Sequence, residues 1–227
     1  MYTAIMIKVV KGNKLIETNP STLLSTVTAN YSTVEVDFGT GDGRFVYKSA
    51  VRNPHIFYIG IDPNQKQLEI YSKKAQKEKL QNAAFILDSI EKLDWDTTPI
   101  AQKIYVILPW GSLLQAFVGP NLQSLQKLKN LLKPNGQITI ILGYSPESEP
   151  NETQRLQLQY LTSEYIETVL KTAYAKIGLT IHAVKKLQKT DLKEFETTWS
   201  KKLVFGKDRT IFLLEISTEP CQNNRAQ

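Results

Sequence analysis

Residues 34–45 read VEVDFGTGDGRF. An apolar, β-branched run ends at Phe38, and Gly39, Gly41 and Gly43 then alternate before a helical pattern begins. Glycine lets the backbone turn tightly and approach a ligand closely, so strand, turn and helix in this order read as a ligand-binding corner. The dinucleotide fingerprint GxGxxG places its third glycine inside the helix, whereas here the glycines alternate strictly and an acid, Asp37, precedes the first by two. A pyrophosphate at a helix N-terminus would be poorly served by Asp37 and Asp42; a ligand carrying ammonium and sulfonium charge would welcome them. S-adenosylmethionine is such a ligand, with Gly39, Thr40 and Gly41 in the turn that would receive it.

Working outward, the next strand, IFYIGID (56–62), ends in Asp62, followed by Pro63. That is where a Rossmann-like fold keeps the acid that hydrogen-bonds ribose hydroxyls. Asp88 and Ser89, at the end of AAFILD, would lie near the adenine or form an ordinary strand-end turn. The strands TVEVDF, IFYIGID, AAFILD, KIYVILP, GQITIILG, LTIHAV and RTIFLLEI alternate with helical stretches such as NQKQLEIYSKKAQKEKL and NLQSLQKLKNLLKPNG, the latter stopping at Pro134, Asn135 and Gly136. Several strands are apolar nearly throughout, as strands buried on both faces are. The expected architecture is therefore α/β, a Rossmann-like, mainly parallel seven-stranded sheet with helices on both faces and an antiparallel final strand. AIMIKVV and KLIET predict an N-terminal β-hairpin around Gly12 and Asn13. One domain is expected over 1–227: a hairpin and helix in 1–31, the core in 32–216 with inserted loops around 145–165 and 190–208, and a polar tail in 217–227. SPESEPNET (145–153) reads as a loop.

The 227 residues carry 28 Lys and Arg against 22 Asp and Glu, a formal charge of +6, which favours an anionic partner such as nucleic acid. A single cysteine, Cys221, excludes a disulfide framework and a thiolate zinc cluster within one chain, and points to the cytoplasm. No metal is expected. There is no signal peptide pattern and no run of ~20 apolar residues, so no membrane span is expected. With only His55 and His182 present, no nucleophile and base constellation forms, which argues against triad hydrolysis.

VILPWGS (106–112) puts Trp110 at the carboxyl edge of a strand, where open α/β sheets keep their sites. LPW is similar to the Asp/Asn-Pro-Pro-aromatic motif that amino-methyltransferases of nucleic acid carry at this strand end, but Leu108 replaces the polar residue that accepts from an exocyclic amine, which argues for a target nitrogen without a proton, such as a ring nitrogen with an in-plane lone pair. Trp110 would serve as an aromatic platform, or would merely plug the sheet edge. In DLKEFETTWSKKLVFGKDR, Leu192, Phe195, Trp199 and Leu203 fall near one helical stripe, a core pattern by periodicity. Lys201, Lys202, Lys207 and Arg209 crowd that segment, and cations interleaved with an aromatic suit a stacked base and its phosphates. Lys66, Lys73 and Lys77 share one face of the helix after the second strand, flanked by Lys74 and Lys79, opposite Leu68, Tyr71 and Ala75; that face is either solvated or an RNA contact.

With DFGTGDGR, FYIGIDP, LPWGSLL and TWSKKLVFGKDR in order, the chain resembles the aminoglycoside-resistance 16S rRNA methyltransferases that modify N1 of a decoding-site adenine, the kanamycin and apramycin resistance class. It is more distantly similar to the tRNA guanine-N7 methyltransferases. The resemblance implies a class I S-adenosylmethionine-dependent methyltransferase fold and a 30S subunit substrate, and a monomer is expected. It implies cofactor contacts at Asp37, Gly39, Gly41 and Asp62 with Ser112 near the pocket, Trp110 and Trp199 sandwiching a flipped adenine, and Arg209 as the critical basic residue. Glu149 matches an acidic position of the family. Lys202 and Lys207 stand where members can carry arginine, Leu108 replaces an aromatic seen in some members, and Asp208 interrupts the basic run.

Overall fold

A computed structural model describes residues 6–93, 95, 99–147, 149–198, 200–201 and 209–218. In chain order these form β1 (Ile7–Lys11), β2 (Lys14–Thr18), α1 (Pro20–Asn30), β3 (Thr33–Phe38), α2 (Arg44–Arg52), β4 (Ile56–Asp62), α3 (Gln65–Lys77), β5 (Ala83–Leu87), β6 (Ala101–Ile107), α4 (Gly111–Val118), α5 (Leu122–Leu131) and β7 (Leu132–Leu142). There follow α6 (Pro150–Leu156), α7 (Ser163–Tyr165), a π-helical stretch (Ile166–Leu170), α8 (Lys171–Ala175), β8 (Leu179–Leu187), a 3₁₀ turn (Asp191–Phe195) and β9 (Ile211–Thr218).

The strands make one sheet in the order β2-β1-β5-β4-β3-β6-β7-β9-β8. β5, β4, β3, β6 and β7 run parallel, and β9 enters antiparallel between β7 and β8. The seven core strands are the ones expected. The hairpin does not stand apart but extends the sheet to nine, because β1 pairs with the edge of β5 through Lys8 and Val9. Gly12, at φ 68°, takes the first central position of its two-residue turn, as this hairpin geometry requires.

Alternation along the central strands divides the core between the two faces. Val34, Val36 and Phe38 point to one side with Leu114 and Phe117 of α4 and Leu125 and Leu128 of α5. Tyr58 and Phe85 point to the other, against Val46 and Tyr47 of α2 and Leu68, Tyr71 and Ala75 of α3. Three local expectations change. α5 stops at Leu131, before Pro134, because Leu132 is already extended and pairs with Ala101, and a residue preceding proline resists helix. The stretch 145–153 is not all loop, since Pro150 at the first helical position starts α6. Residues 191–195 form a 3₁₀ turn, so the α-helical stripe read there does not hold.

Candidate functional site

β3 is the switch point of the sheet: the chain moves from it to β4 on one side and returns to β6 on the other. The connections after β3 and β6 therefore diverge and leave a crevice at the carboxyl ends. A cleft of about 180 Å³ lies there, and Gly39, Gly41, Asp62, Pro63, Asp88, Ser89, Leu108 and Ser112, read separately from the sequence, all line it.

The glycine turn is held by its neighbour strand. Gly39 and Thr40 N–H both donate to Ile61 O (2.9 and 3.1 Å), and Gly41 N–H donates to Asp62 Oδ2 (2.9 Å). Gly41 (φ 60°) and Gly43 (φ 78°) are both left-handed but for different reasons. A Cβ on Gly43 would sit 2.4 Å from the Phe85 ring, whereas one on Gly41 would meet nothing within 4 Å and faces open cleft. Close backbone approach by a ligand is therefore available at Gly41.

Four carboxylates lie in or near the turn. Asp37 is 3% exposed, lies beneath the turn rather than in the cleft wall, and its Oδ1 has no hydrogen-bond partner. Burial pushes its carboxyl from 3.8 up to about 7, and the charges of Asp62 and Asp42 add to the shift. Asp62 also accepts Asn64 N–H on Oδ1 (2.8 Å), and burial raises its pKa. Asp88, likewise raised by burial, accepts Ser89 N–H (2.8 Å) on Oδ1 and the indole N–H of Trp95 (3.2 Å) on Oδ2. Asp42, expected to face a cationic ligand, does not line the cleft: its Oδ1 accepts Arg44 N–H (3.1 Å) and its Oδ2 the Thr198 hydroxyl (2.6 Å).

Trp110 follows β6 and opens α4 as its N-cap residue, 43% exposed. The chain reaches it through Leu108, held at φ 52° with its N–H on Ile141 O (2.9 Å). A left-handed leucine costs about 1–2 kcal/mol, strain of the kind that collects at functional sites. Leu108, Pro109 and Trp110 are shared walls: they line the cleft and also a second cavity of about 230 Å³ closed by Gly143, Tyr144, Glu149 and Arg209. Arg209 Nη1 donates to Glu149 Oε1 (2.6 Å) and Gly143 O (3.0 Å), and Glu149 Oε2 accepts Ser145 N–H (2.8 Å). Their side chains are only 11% and 18% exposed, so the structure pairs these two residues at the cavity wall rather than presenting either to solvent.

The basic helix face is partly neutralised. Lys73 and Lys66 both pair with Glu69 (3.1 and 3.5 Å), and Lys74 lies over the Tyr71 ring at 4.5 Å. Lys73, Lys74, Lys77 and Lys201 are exposed. Trp199, Lys202 and Lys207 lie outside the described residues. Among the described residues no three His, Cys, Asp or Glu side chains group to hold a metal, and no helix is long and apolar enough to cross a membrane.

Sequence reasoning missed three participants. Trp95 is 1% exposed and holds Asp88 from seven residues downstream; an aromatic soon after a strand-end acid was the available signal. Tyr144 lines the second cavity, and its position after β7 and Gly143 was readable. The contact between Asp42 and Thr198 spans 156 residues and leaves no local trace.

The sequence profile of 16S rRNA (adenine(1408)-N(1))-methyltransferases matches residues 8–218. An Escherichia coli protein of that name is 32% identical over 209 residues, covering 90% of this chain and 95% of its own. The crystal structure of a 30S ribosomal methyltransferase from an uncultured bacterium superposes with a TM-score of 0.73 at 42% identity, over 93% of this chain and 99% of that one. A variant of the Catenulisporales acidiphilia 16S rRNA (adenine(1408)-N(1))-methyltransferase, crystallised with its cosubstrate SAM, superposes with a TM-score of 0.84 at 26% identity, over 96% and 99% of the two chains.

Proposed function

Because the chain belongs to the 16S rRNA (adenine(1408)-N(1))-methyltransferase family, we propose that it transfers a methyl group from S-adenosylmethionine to N1 of that adenine in the 30S subunit. The observation that carries the reading is the shared wall at Leu108, Pro109 and Trp110, with the glycine-turn cleft on one side and a second cavity on the other. Such a wall brings a donor and a flipped base to the same aromatic edge.

The cleft residues fit S-adenosylmethionine. Gly41 leaves open space for close approach, and Asp62 and Asp88 are partly desolvated anions whose raised pKa values polar or cationic ligand groups would relieve. Ile90, Leu108 and Leu113 supply apolar wall for a flat ring. Asp37, with Oδ1 unpartnered beneath the turn, acts through the turn's shape and charge. The bound donor supplies an electrophilic methyl on a sulfonium: the N1 lone pair of adenine forms the N–C bond as the C–S bond breaks, leaving a neutral thioether and a cationic N1-methyladenine.

No proton leaves the base in this step, so no general base is needed, and the chain's work is alignment. Trp110 stacks the extruded adenine, and Trp199 supplies the opposing ring; stacking is worth about 1–3 kcal/mol per contact against the few kcal/mol of unstacking. Arg209, with Glu149, braces the far side of the second cavity. Lys73, Lys74, Lys77, Lys201, Lys202 and Lys207 engage phosphates of the assembled subunit, which is recognised by shape more than by base sequence. Methylation adds a positive charge and removes an acceptor at N1, so a cationic aminoglycoside that hydrogen-bonds there is repelled; resistance follows. The protein acts as a monomer in the cytoplasm, a single domain whose hairpin extends the core sheet and whose β9 closes it at Thr218.

Labelled methyl incorporation into 30S subunits, into free 16S rRNA and into tRNA tests the substrate. The reading requires 30S to be strongly preferred. Preferential labelling of tRNA would favour a guanine-N7 type of activity and overturn it.

A further inference from the structure

We propose that Thr198 and Asp42 are positioning residues: their hydrogen bond docks the segment before β9 onto the cofactor turn, so that the turn sets where that segment's aromatic meets the target base. The proposal rests on the methyltransferase reading above.

Asp42 sits between Gly41 and Gly43, yet contributes nothing to the cleft wall. Both of its carboxylate oxygens are instead occupied, one by Arg44 N–H at 3.1 Å and the other by the Thr198 hydroxyl at 2.6 Å. A hydroxyl on a carboxylate at that distance is in the range of charge-assisted bonds, stronger than neutral ones. The same segment is anchored twice more on α2 and its surroundings. Leu192 is fully buried in a cluster with Phe45, Ile107 and Ile211, and Glu196 pairs with Arg52. Around Thr198 the segment closes a turn on itself: Ser200, 1% exposed, donates its N–H to Thr197 Oγ1 (2.8 Å) and its hydroxyl to Thr197 O (2.9 Å).

These attachments differ in kind. Leu192 and Glu196 reach the body of α2 and the sheet, and would hold the segment in place whatever occupies the cleft. Asp42 alone belongs to the turn that carries Gly41, so Thr198 is the point where the segment reads the turn. Trp199 is the next residue in the sequence, so this bond is the turn's attachment nearest to it along the chain. Thr198 touches neither the cleft nor the second cavity, so it acts through its neighbour rather than on the reacting atoms.

The test compares Thr198→Ala with Thr198→Ser in S-adenosylmethionine affinity by calorimetry, single-turnover methylation of 30S subunits, and amide exchange of residues 191–201. Thr198→Ala should bind S-adenosylmethionine within about two-fold of the parent, methylate about ten-fold more slowly and exchange faster in that segment, and Thr198→Ser should recover both because it keeps the hydroxyl. Parental turnover and exchange in Thr198→Ala would overturn the proposal. So would a loss of cofactor affinity as large as the loss in rate, which would mean a collapsed turn, or a Thr198→Ser variant as slow as Thr198→Ala. A parent enzyme inert on 30S would overturn the methyltransferase reading and with it the positioning role, while exchange in Thr198→Ala reports separately on the docking contact.

Discussion

Replacing Gly41 and Gly43 separately with alanine should split two requirements that the sequence motif presents as one. Both positions are left-handed, and an alanine there costs about 1–2 kcal/mol, offset by about 0.4–1 kcal/mol from a less flexible unfolded chain. For Gly41 nothing is added, because the new methyl has no neighbour within 4 Å, so the net loss is ~1 kcal/mol. For Gly43 the methyl falls 2.4 Å from the Phe85 ring, and forcing a packed core to accommodate it adds about 1–3 kcal/mol. In a 227-residue domain each kcal/mol is about 2–4 °C in Tm. Gly41→Ala should thus melt only ~2–4 °C below the parent, and Gly43→Ala ~4–16 °C below it. Binding should rank the other way. The Gly41 methyl enters the space where the donor approaches and should raise the S-adenosylmethionine Kd about ten-fold or more, while folded Gly43→Ala stays within about three-fold. Thermal melts and calorimetry on the same preparations decide it. Parental affinity in Gly41→Ala, or a greater binding loss in Gly43→Ala, would refute the placement of the donor against Gly41.

Trp110→Ala should slow methylation about 10–100-fold, the loss of one stacking contact, while 30S binding by sedimentation is unchanged. Trp95→Phe keeps a buried ring but removes the N–H on Asp88 Oδ2, so S-adenosylmethionine affinity should weaken about three- to ten-fold, as loss of one typical hydrogen bond does, with less change in 30S binding. Burial raises the Asp37 carboxyl to about 7, so between about pH 4 and 7 the folded chain holds a proton that the unfolded chain has released. That contribution to stability is present at the acid end of the window and is lost as pH rises through about 7; urea titrations should show Asp37→Asn with a shallower loss over the window than the parent.

The parts of the fold legible in the sequence were those fixed by local pattern. Strands buried on both faces read as apolar runs, and the alternating glycines mark the first crossover whatever packs around them. The hairpin was legible too, but not its attachment to β5, because edge pairing depends on which strand end is left open in three dimensions. The α-helical stripe misled over 191–195, since Leu192 is buried by a 3₁₀ turn in a cluster with Phe45. The cleft lining was readable because each residue sits at a strand's carboxyl end, where topology alone decides proximity. Charge was a poorer guide: Asp42 looked like a ligand group and bonds Thr198, and on the lysine face, read as solvated or as an RNA contact, Lys66 and Lys73 share Glu69. Carboxylates and lysines choose partners across the fold, at separations that no local pattern records.

The most direct test of the account is methyl transfer from labelled S-adenosylmethionine to purified 30S subunits, with reverse transcription of the product to locate the modified base. Methylation at N1 blocks the Watson–Crick edge of adenine, so the account predicts a strong stop at adenine 1408 of 16S rRNA that depends on the cofactor and develops about 10–100-fold more slowly with Trp110→Ala. Incorporation of label with no stop at that adenine would contradict it.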